Sequence, residues 1–244
     1  MGKVTVIGIG PGNLIDMTER AKLAIAEAEV VVGYHTYIEL IESLIEGKEI
    51  IGTGMRQEVE RCKAAVEAAL TKNVVVVSSG DAGVYGMAGL VLELLLNLPK
   101  VQRPDFEVVS GVSAVNAAAS ILGAPLMHDF AVISLSDLLT SWDLIIKRVE
   151  YAAQGDFVIA LYNPKSHKRV DNIREVQKVI LKYREKNTPV GIVTGASRSN
   201  ESKIISTLEK FTDEEINMFS LVIIGNSSTY IKEDYMITPR GYKS

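Results

Sequence analysis

The 244-residue sequence carries one cysteine, Cys62, and three histidines, His35, His128 and His167, spaced far apart. A single cysteine excludes an internal disulfide and a cysteine-cluster metal site, and the histidines show no ligand spacing. No protein-bound metal is therefore expected, and a reducing, cytoplasmic setting fits. Excess positive charge is also missing: 26 Lys and Arg stand against 30 Asp and Glu, for a net charge of −4. That balance argues against a general nucleic-acid binder. The N-terminus has one lysine and a short apolar stretch that runs into glycines, without the long apolar region and small-residue cleavage site of a secretory signal. It reads as a first strand entering a loop. Residues 108–127 form an uncharged stretch long enough to span a membrane. Ser110, Gly111, Ser113, Asn116, Ser120, Gly123 and Pro125 interrupt it. A buried crossover helix between two domains, packed closely through small residues, is the better reading. No membrane association is expected.

What is present is a foldable core. Hydrophobic residues make up 47 % and charged residues 23 %, which excludes intrinsic disorder and collagen-like repeats. At roughly 100–200 residues per domain, the length suits one large or two modest α/β domains. Apolar runs at 4–9, 30–32, 74–77 and 106–109 read as strands, and helical spacing of apolar residues appears over 16–29, 57–70 and 87–98. On the 57–70 helix Val59, Cys62, Val66 and Leu70 share one side, so Cys62 is expected to be packed and unreactive. Strand and helix alternate, which implies crossover connections and a mostly parallel sheet. The second half differs in texture, with strands expected at 130–135, 156–161, 189–193, 203–207 and 220–224 and helices at 141–154 and 170–186. Charge shifts as well: residues 1–125 hold 10 basic and 15 acidic groups, and residues 126–244 hold 16 and 15. The expected division is 1–118 and 119–244.

Two glycine clusters follow expected strands. Gly8-Ile9-Gly10-Pro11-Gly12 lets backbone approach a ligand closely. It fails the dinucleotide fingerprint, because Asn13 stands where the third glycine belongs and the second strand runs into Tyr34 with no acidic residue. It also fails the methyltransferase loop that places an acidic residue before the first glycine, since Ile7 is there. Alone it could be a tight turn. Ser79-Gly80-Asp81-Ala82-Gly83-Val84-Tyr85-Gly86-Met87 lies at the carboxyl end of another expected parallel strand, the edge where open α/β sheets bind ligands. Asp81 is either a ligand contact or a helix N-cap.

With Gly111-Val112-Ser113-Ala114, these loops resemble the tetrapyrrole (corrin/porphyrin) methylase family over nearly the whole chain. The stretch from His128-Asp129-Phe130 through Asp137-Leu138-Leu139-Thr140, then Leu161-Tyr162-Asn163-Pro164-Lys165-Ser166 and Ile237-Thr238-Pro239-Arg240-Gly241-Tyr242, point to its branch that methylates C17 of a corrin precursor and contracts the ring. Ser141 departs from the proline usual before the tryptophan, which loosens a helix start more than it touches chemistry.

The resemblance implies an α/β fold with a parallel-sheet N-terminal domain, a mixed-sheet C-terminal domain, the active site between them, and commonly a homodimer. It implies S-adenosylmethionine as methyl donor, held by Gly10, Pro11, Gly12, Ser79, Gly80, Asp81, Val84, Ser113, Ala114, Tyr162, Gly195 and Ala196. The acceptor it implies is a carboxylate-rich tetrapyrrole, either metal-free or carrying cobalt within the substrate. Lys165, Lys168, Arg169, Arg198 and Arg240 are the candidates for its carboxylates, through charge-assisted pairing, and Arg174 and His167 extend the same basic run. Ring contraction calls for a positioned carboxylate, and Asp81 and Asp137 are the candidates. A methylase of the same fold acting elsewhere, a nicotinamide oxidoreductase and a non-catalytic tetrapyrrole-binding protein are the alternatives. The first is disfavoured by the C17-type motifs, the second by Asn13 and Tyr34, and the third by the intact donor loops.

Overall fold

A computed structural model describes residues 1–166 and 170–242, and the chain divides into two compact units, Met1–Ala114 and Val115–Ser244. In the first, strands β1 (Lys3–Gly8), β2 (Val30–Tyr34), β3 (Glu49–Thr53), β4 (Val74–Ser78) and β5 (Asp105–Val109) form a wholly parallel sheet in the order β3-β2-β4-β1-β5. Helices α1 (Glu19–Glu27), α2 (His35–Glu39), α3 (Glu58–Ala68) and α4 (Ala88–Leu96) cover it.

The valine runs are explained by burial on both faces, as parallel sheets require. Val74 and Val76 pack with Cys62, Ala65, Val66 and Val91 of α3 and α4. Their neighbours Val75 and Val77 pack on the opposite face with Ala21 and Ile25 of α1 and Ile38 of α2. Thr18 starts α1, its Oγ1 accepting the Ala21 N–H at 3.2 Å, a side-chain N-cap.

The α3 face differs from expectation. Val59 and Leu70 are 44 % and 39 % exposed, and the buried residues are Arg61, Cys62, Ala65 and Val66. Packing against α4 sets the helix phase, and the sequence pattern alone did not define it. The helix expected within the uncharged stretch 108–127 is α5, Ala114–Leu122. Among the described residues no helix is long and apolar enough to cross a membrane.

The second unit holds β6 (Gly123–Ala124), β7 (Phe130–Ser134), α6 (Trp142–Gln154), β8 (Val158–Tyr162), α7 (Asn172–Ile180), β9 (Pro189–Thr194), β10 (Ser202–Thr207), β11 (Ser220–Ile224), β12 (Tyr230–Lys232) and β13 (Tyr235–Ile237). Its main sheet is mixed, in the order β10-β9-β11-β8-β7. One face packs on α6 and α7 through Ile145, Val149, Val176 and Ile180. Because β11 runs antiparallel to both β8 and β9 while β7 is parallel to β8, the carboxyl ends of β7, β8 and β9 share one edge. Buried Arg184 ties this unit together by donating to the carbonyls of Gly225 and Phe157. β6, β12 and β13 form a separate small sheet.

Candidate active site

In the first unit the loops after β1, β4 and β5 meet through backbone. Gly10 and Gly80 exchange hydrogen bonds, Gly80 N–H to Gly10 carbonyl at 2.8 Å and Gly10 N–H to Gly80 carbonyl at 3.1 Å. Both adopt left-handed φ, +76° and +67°, which a side chain would strain. Gly111 approaches so closely that a Cβ there would lie 2.3 Å from the Gly80 carbonyl oxygen and 2.6 Å from that of Gly8.

Asp81 locks this junction. Its Oδ1 accepts the N–H groups of Gly83 at 2.8 Å and Val84 at 3.1 Å, and its Oδ2 accepts the N–H of Gly111 at 2.9 Å. Three backbone donors converge on one carboxylate, so the loop after β4 and the loop after β5 form one rigid edge. Ser78, buried at the end of β4, accepts the Met87 N–H at 3.1 Å and closes the loop from its other side. Ser79 is half-buried, Val84 is exposed, and Ser113 is buried beside Ala114. Pro11 and Gly12 continue the β1 loop past the bridge.

Within the second unit the candidates gather at the carboxyl edge of β7, β8 and β9. The Tyr162 hydroxyl, at the end of β8, accepts the Val115 N–H at 3.0 Å, and Leu135 N–H donates to the Tyr162 carbonyl at 2.9 Å. Asn163, at φ +51°, turns back to donate from Nδ2 to Ser134 Oγ at 2.9 Å. Asp137 lies exposed on the loop after β7, followed by the exposed Leu138 and Leu139. Lys165 is half-buried on the loop after β8.

After β9, Gly195 at φ +61° accepts the Arg198 N–H at 2.8 Å, with Ala196 between them. The Arg198 guanidinium sits 5.7 Å from the Phe219 ring centroid, a cation–π distance. Arg240 is exposed on the tail and donates to the Met127 carbonyl at 3.4 Å. Arg174 pairs with Asp213 at 3.0 Å. Lys168, Arg169 and His167 lie outside the described residues.

Sequence reasoning assigned no role to Ser78 or Asn163. For Ser78 the signal was a small polar residue ending a buried strand, and for Asn163 the tolerance of asparagine for left-handed φ.

A sequence profile of the family described as Tetrapyrrole (Corrin/Porphyrin) Methylases matches residues 3–212. The cobalt-factor III methyltransferase of Priestia megaterium is 52 % identical over 245 residues, taking in 99 % of this chain and 45 % of that protein. The chain thus spans less than half the length of that relative. The probable cobalt-factor III C(17)-methyltransferase of Salmonella typhimurium is 50 % identical over 242 residues, with 98 % of this chain and 99 % of that protein covered. Among solved structures, that of the methyltransferase CobJ is similar with a TM-score of 0.92 and 35 % identity, covering 98 % of this chain and 100 % of that one.

Proposed function

The chain belongs to the tetrapyrrole (corrin/porphyrin) methylase family, and from that footing we propose that it methylates C17 of cobalt-factor III, using S-adenosylmethionine, with contraction of the ring. The observation that carries this reading is the 50 % identity, end to end, with a relative named as a probable cobalt-factor III C(17)-methyltransferase. Metal-free precorrin-3B is the second acceptor to test, since the C17-type motifs fit either form. Cobalt enters this reading as part of the substrate.

The residues present fit the donor. Gly8, Gly80 and Gly111 let the loops after β1, β4 and β5 pack backbone against backbone, where a Cβ at Gly8 or Gly111 would strike the Gly80 carbonyl, and so bring three loops together at the carboxyl edge where open parallel sheets bind ligands. Bound there, S-adenosylmethionine supplies an electrophilic methyl group. The chain's own part is alignment, which can account for much of the acceleration when reacting atoms are held about 3–3.5 Å apart.

Gly10, Pro11, Gly12, Ser79, Gly80 and Val84 form the loops that hold the donor, Asp81 braces them, and Ser113 and Ala114 leave room for it. The reading adds Tyr162, Gly195 and Ala196 to the donor contacts, as the resemblance implies. We assign the proton transfer of ring contraction to Asp137, because the Asp81 oxygens already accept three backbone N–H groups. Lys165, Lys168, Arg169, Arg198 and Arg240 meet the acceptor's carboxylates. The reading includes a homodimer, as the resemblance implies, and a cytoplasmic setting, as the single cysteine suggests.

The test is incubation with isotope-labelled S-adenosylmethionine and each acceptor separately, followed by product mass and absorbance spectrum. Label in a ring-contracted product of cobalt-factor III is the expected result; label in neither acceptor rejects the reading.

A further inference from the structure

Arg61 is only 3 % exposed, yet among the described residues no carboxylate pairs with it. Its Nε donates to Thr53 Oγ1 at 2.7 Å and its Nη2 to the Gly54 carbonyl at 3.0 Å. The guanidinium carbon lies 5.9 Å from the Tyr34 ring centroid. Thr53 ends β3 and Tyr34 ends β2. The charge is therefore held at the carboxyl edge of the same parallel sheet whose other strands carry the glycine loops, and β2 adjoins β4 directly.

A guanidinium has five N–H donors, and the two bonds to Thr53 and Gly54 leave Nη1 without a protein acceptor. Among the described residues the fully buried side-chain nitrogen lacking a partner is Arg184 Nε. Nη1 of Arg61 is thus not fully sealed, and Thr53 and Tyr34 place the guanidinium at the sheet edge. Removing a cation from water is costly without a counter-charge. A neutral amide would meet the needs of Thr53 and Gly54 with less desolvation, whereas a carboxylate arriving from outside needs the cation and its unused donors.

We propose that Arg61 binds a peripheral carboxylate of the tetrapyrrole acceptor at the β2–β3 edge, with the Tyr34 ring beside it. This rests on the reading of the acceptor as a carboxylate-rich macrocycle. It divides the sheet edge between two ligands, the donor at β1, β4 and β5 and an acid side chain of the acceptor at β2 and β3.

The test compares wild type with Arg61→Gln and Arg61→Lys by steady-state kinetics on cobalt-factor III, by calorimetric titration with S-adenosylmethionine, and by absorbance titration with an octacarboxylate porphyrin, which needs no turnover. For Arg61→Gln the expected result is a KM for the macrocycle and a porphyrin Kd each raised at least tenfold. Its donor Kd should stay within twofold of wild type, and its porphyrin affinity should depend less on salt. Unchanged KM and porphyrin affinity overturn the proposal, and so does a parallel loss of donor affinity, which marks a structural strut. If wild type fails to turn over cobalt-factor III, the functional reading fails by itself, while the porphyrin comparison still decides the role of Arg61. If Arg61→Gln lacks a cooperative melt, Arg61→Lys decides: porphyrin affinity within threefold of wild type supports a charge contact, and a larger loss overturns it.

Discussion

Asp81 Oδ2 accepts the backbone N–H of Gly111 at 2.9 Å, joining the ends of β4 and β5 through one carboxylate. The same side chain holds the Gly83 and Val84 N–H groups. A residue that the sequence offered as acid–base catalyst or helix cap is, by its geometry, the brace of the glycine loops.

Replacing Asp81 with Asn keeps an acceptor for one side of the brace and turns an amide donor toward the other. Hydrogen bonds to charged groups contribute about 1.5–3 kcal/mol each, so S-adenosylmethionine affinity should fall about tenfold by calorimetry. Methylation and contraction should decline together. Accumulation of a methylated, uncontracted product would instead identify Asp81 as the base. For Asp137→Asn that same accumulation is the expected result.

Gly111→Ala places a methyl group 2.3 Å from the Gly80 carbonyl oxygen, against backbone that cannot rotate away. Overpacking of this kind costs about 1–3 kcal/mol, which lowers Tm by roughly 2–12 °C in a chain of this size. Donor binding should be lost beyond what the melting shift accounts for. Differential scanning calorimetry with and without S-adenosylmethionine reads both effects, and a variant stabilised by the donor as strongly as wild type would contradict the close-approach argument.

Arg198 stacks on Phe219 at the edge of the second sheet. Arg198→Glu should raise the macrocycle KM about tenfold or more and leave donor affinity unchanged, because the reversed charge repels carboxylates. Equal KM values at low and high salt would remove Arg198 from the acceptor site.

Burial pushes the Cys62 thiol from 9.0 up to about 11, with Arg61 opposing and Glu58 reinforcing the shift. The folded state therefore holds the proton more tightly than the unfolded chain. This contribution is fully present below pH 9 and is lost as pH rises toward 11, by about 2–3 kcal/mol. Melting temperature should fall more steeply over that window in wild type than in Cys62→Ala. Thiol reagents at pH 8 should label Cys62 only after unfolding.

The strands with valine on both faces were legible because complete burial writes a continuous apolar run, as in β2 and β4. The edge strand β3 was missed, and the reason is physical: Glu49 and Ile50 are exposed and the run is short. β12 and β13 are three residues each and exposed along much of their length, leaving no alternation long enough to read. The uncharged stretch over 108–127 suggested a helix without fixing where it starts; Gly111 is held in the loop by Asp81, and α5 begins at Ala114.

The candidate site followed a similar division. Strand-end glycines and the polar residues beside them stood out because a loop at a parallel sheet's carboxyl edge needs them. Arg61 did not stand out, since an arginine beside Cys62 on a helix gives no local sign of being buried.

By itself the sequence determined the alternation of strand and helix, the two-sided burial of the central valines and the presence of glycine loops at strand ends, all of which follow from local pattern and composition. Tertiary structure decided which groups meet. Gly10 bridges Gly80, Asp81 reaches Gly111, and Arg61 arrives under Tyr34 and Thr53. Each of these pairs joins separate elements that only the parallel strand order β3-β2-β4-β1-β5 brings to one edge, and no short-range periodicity encodes that order.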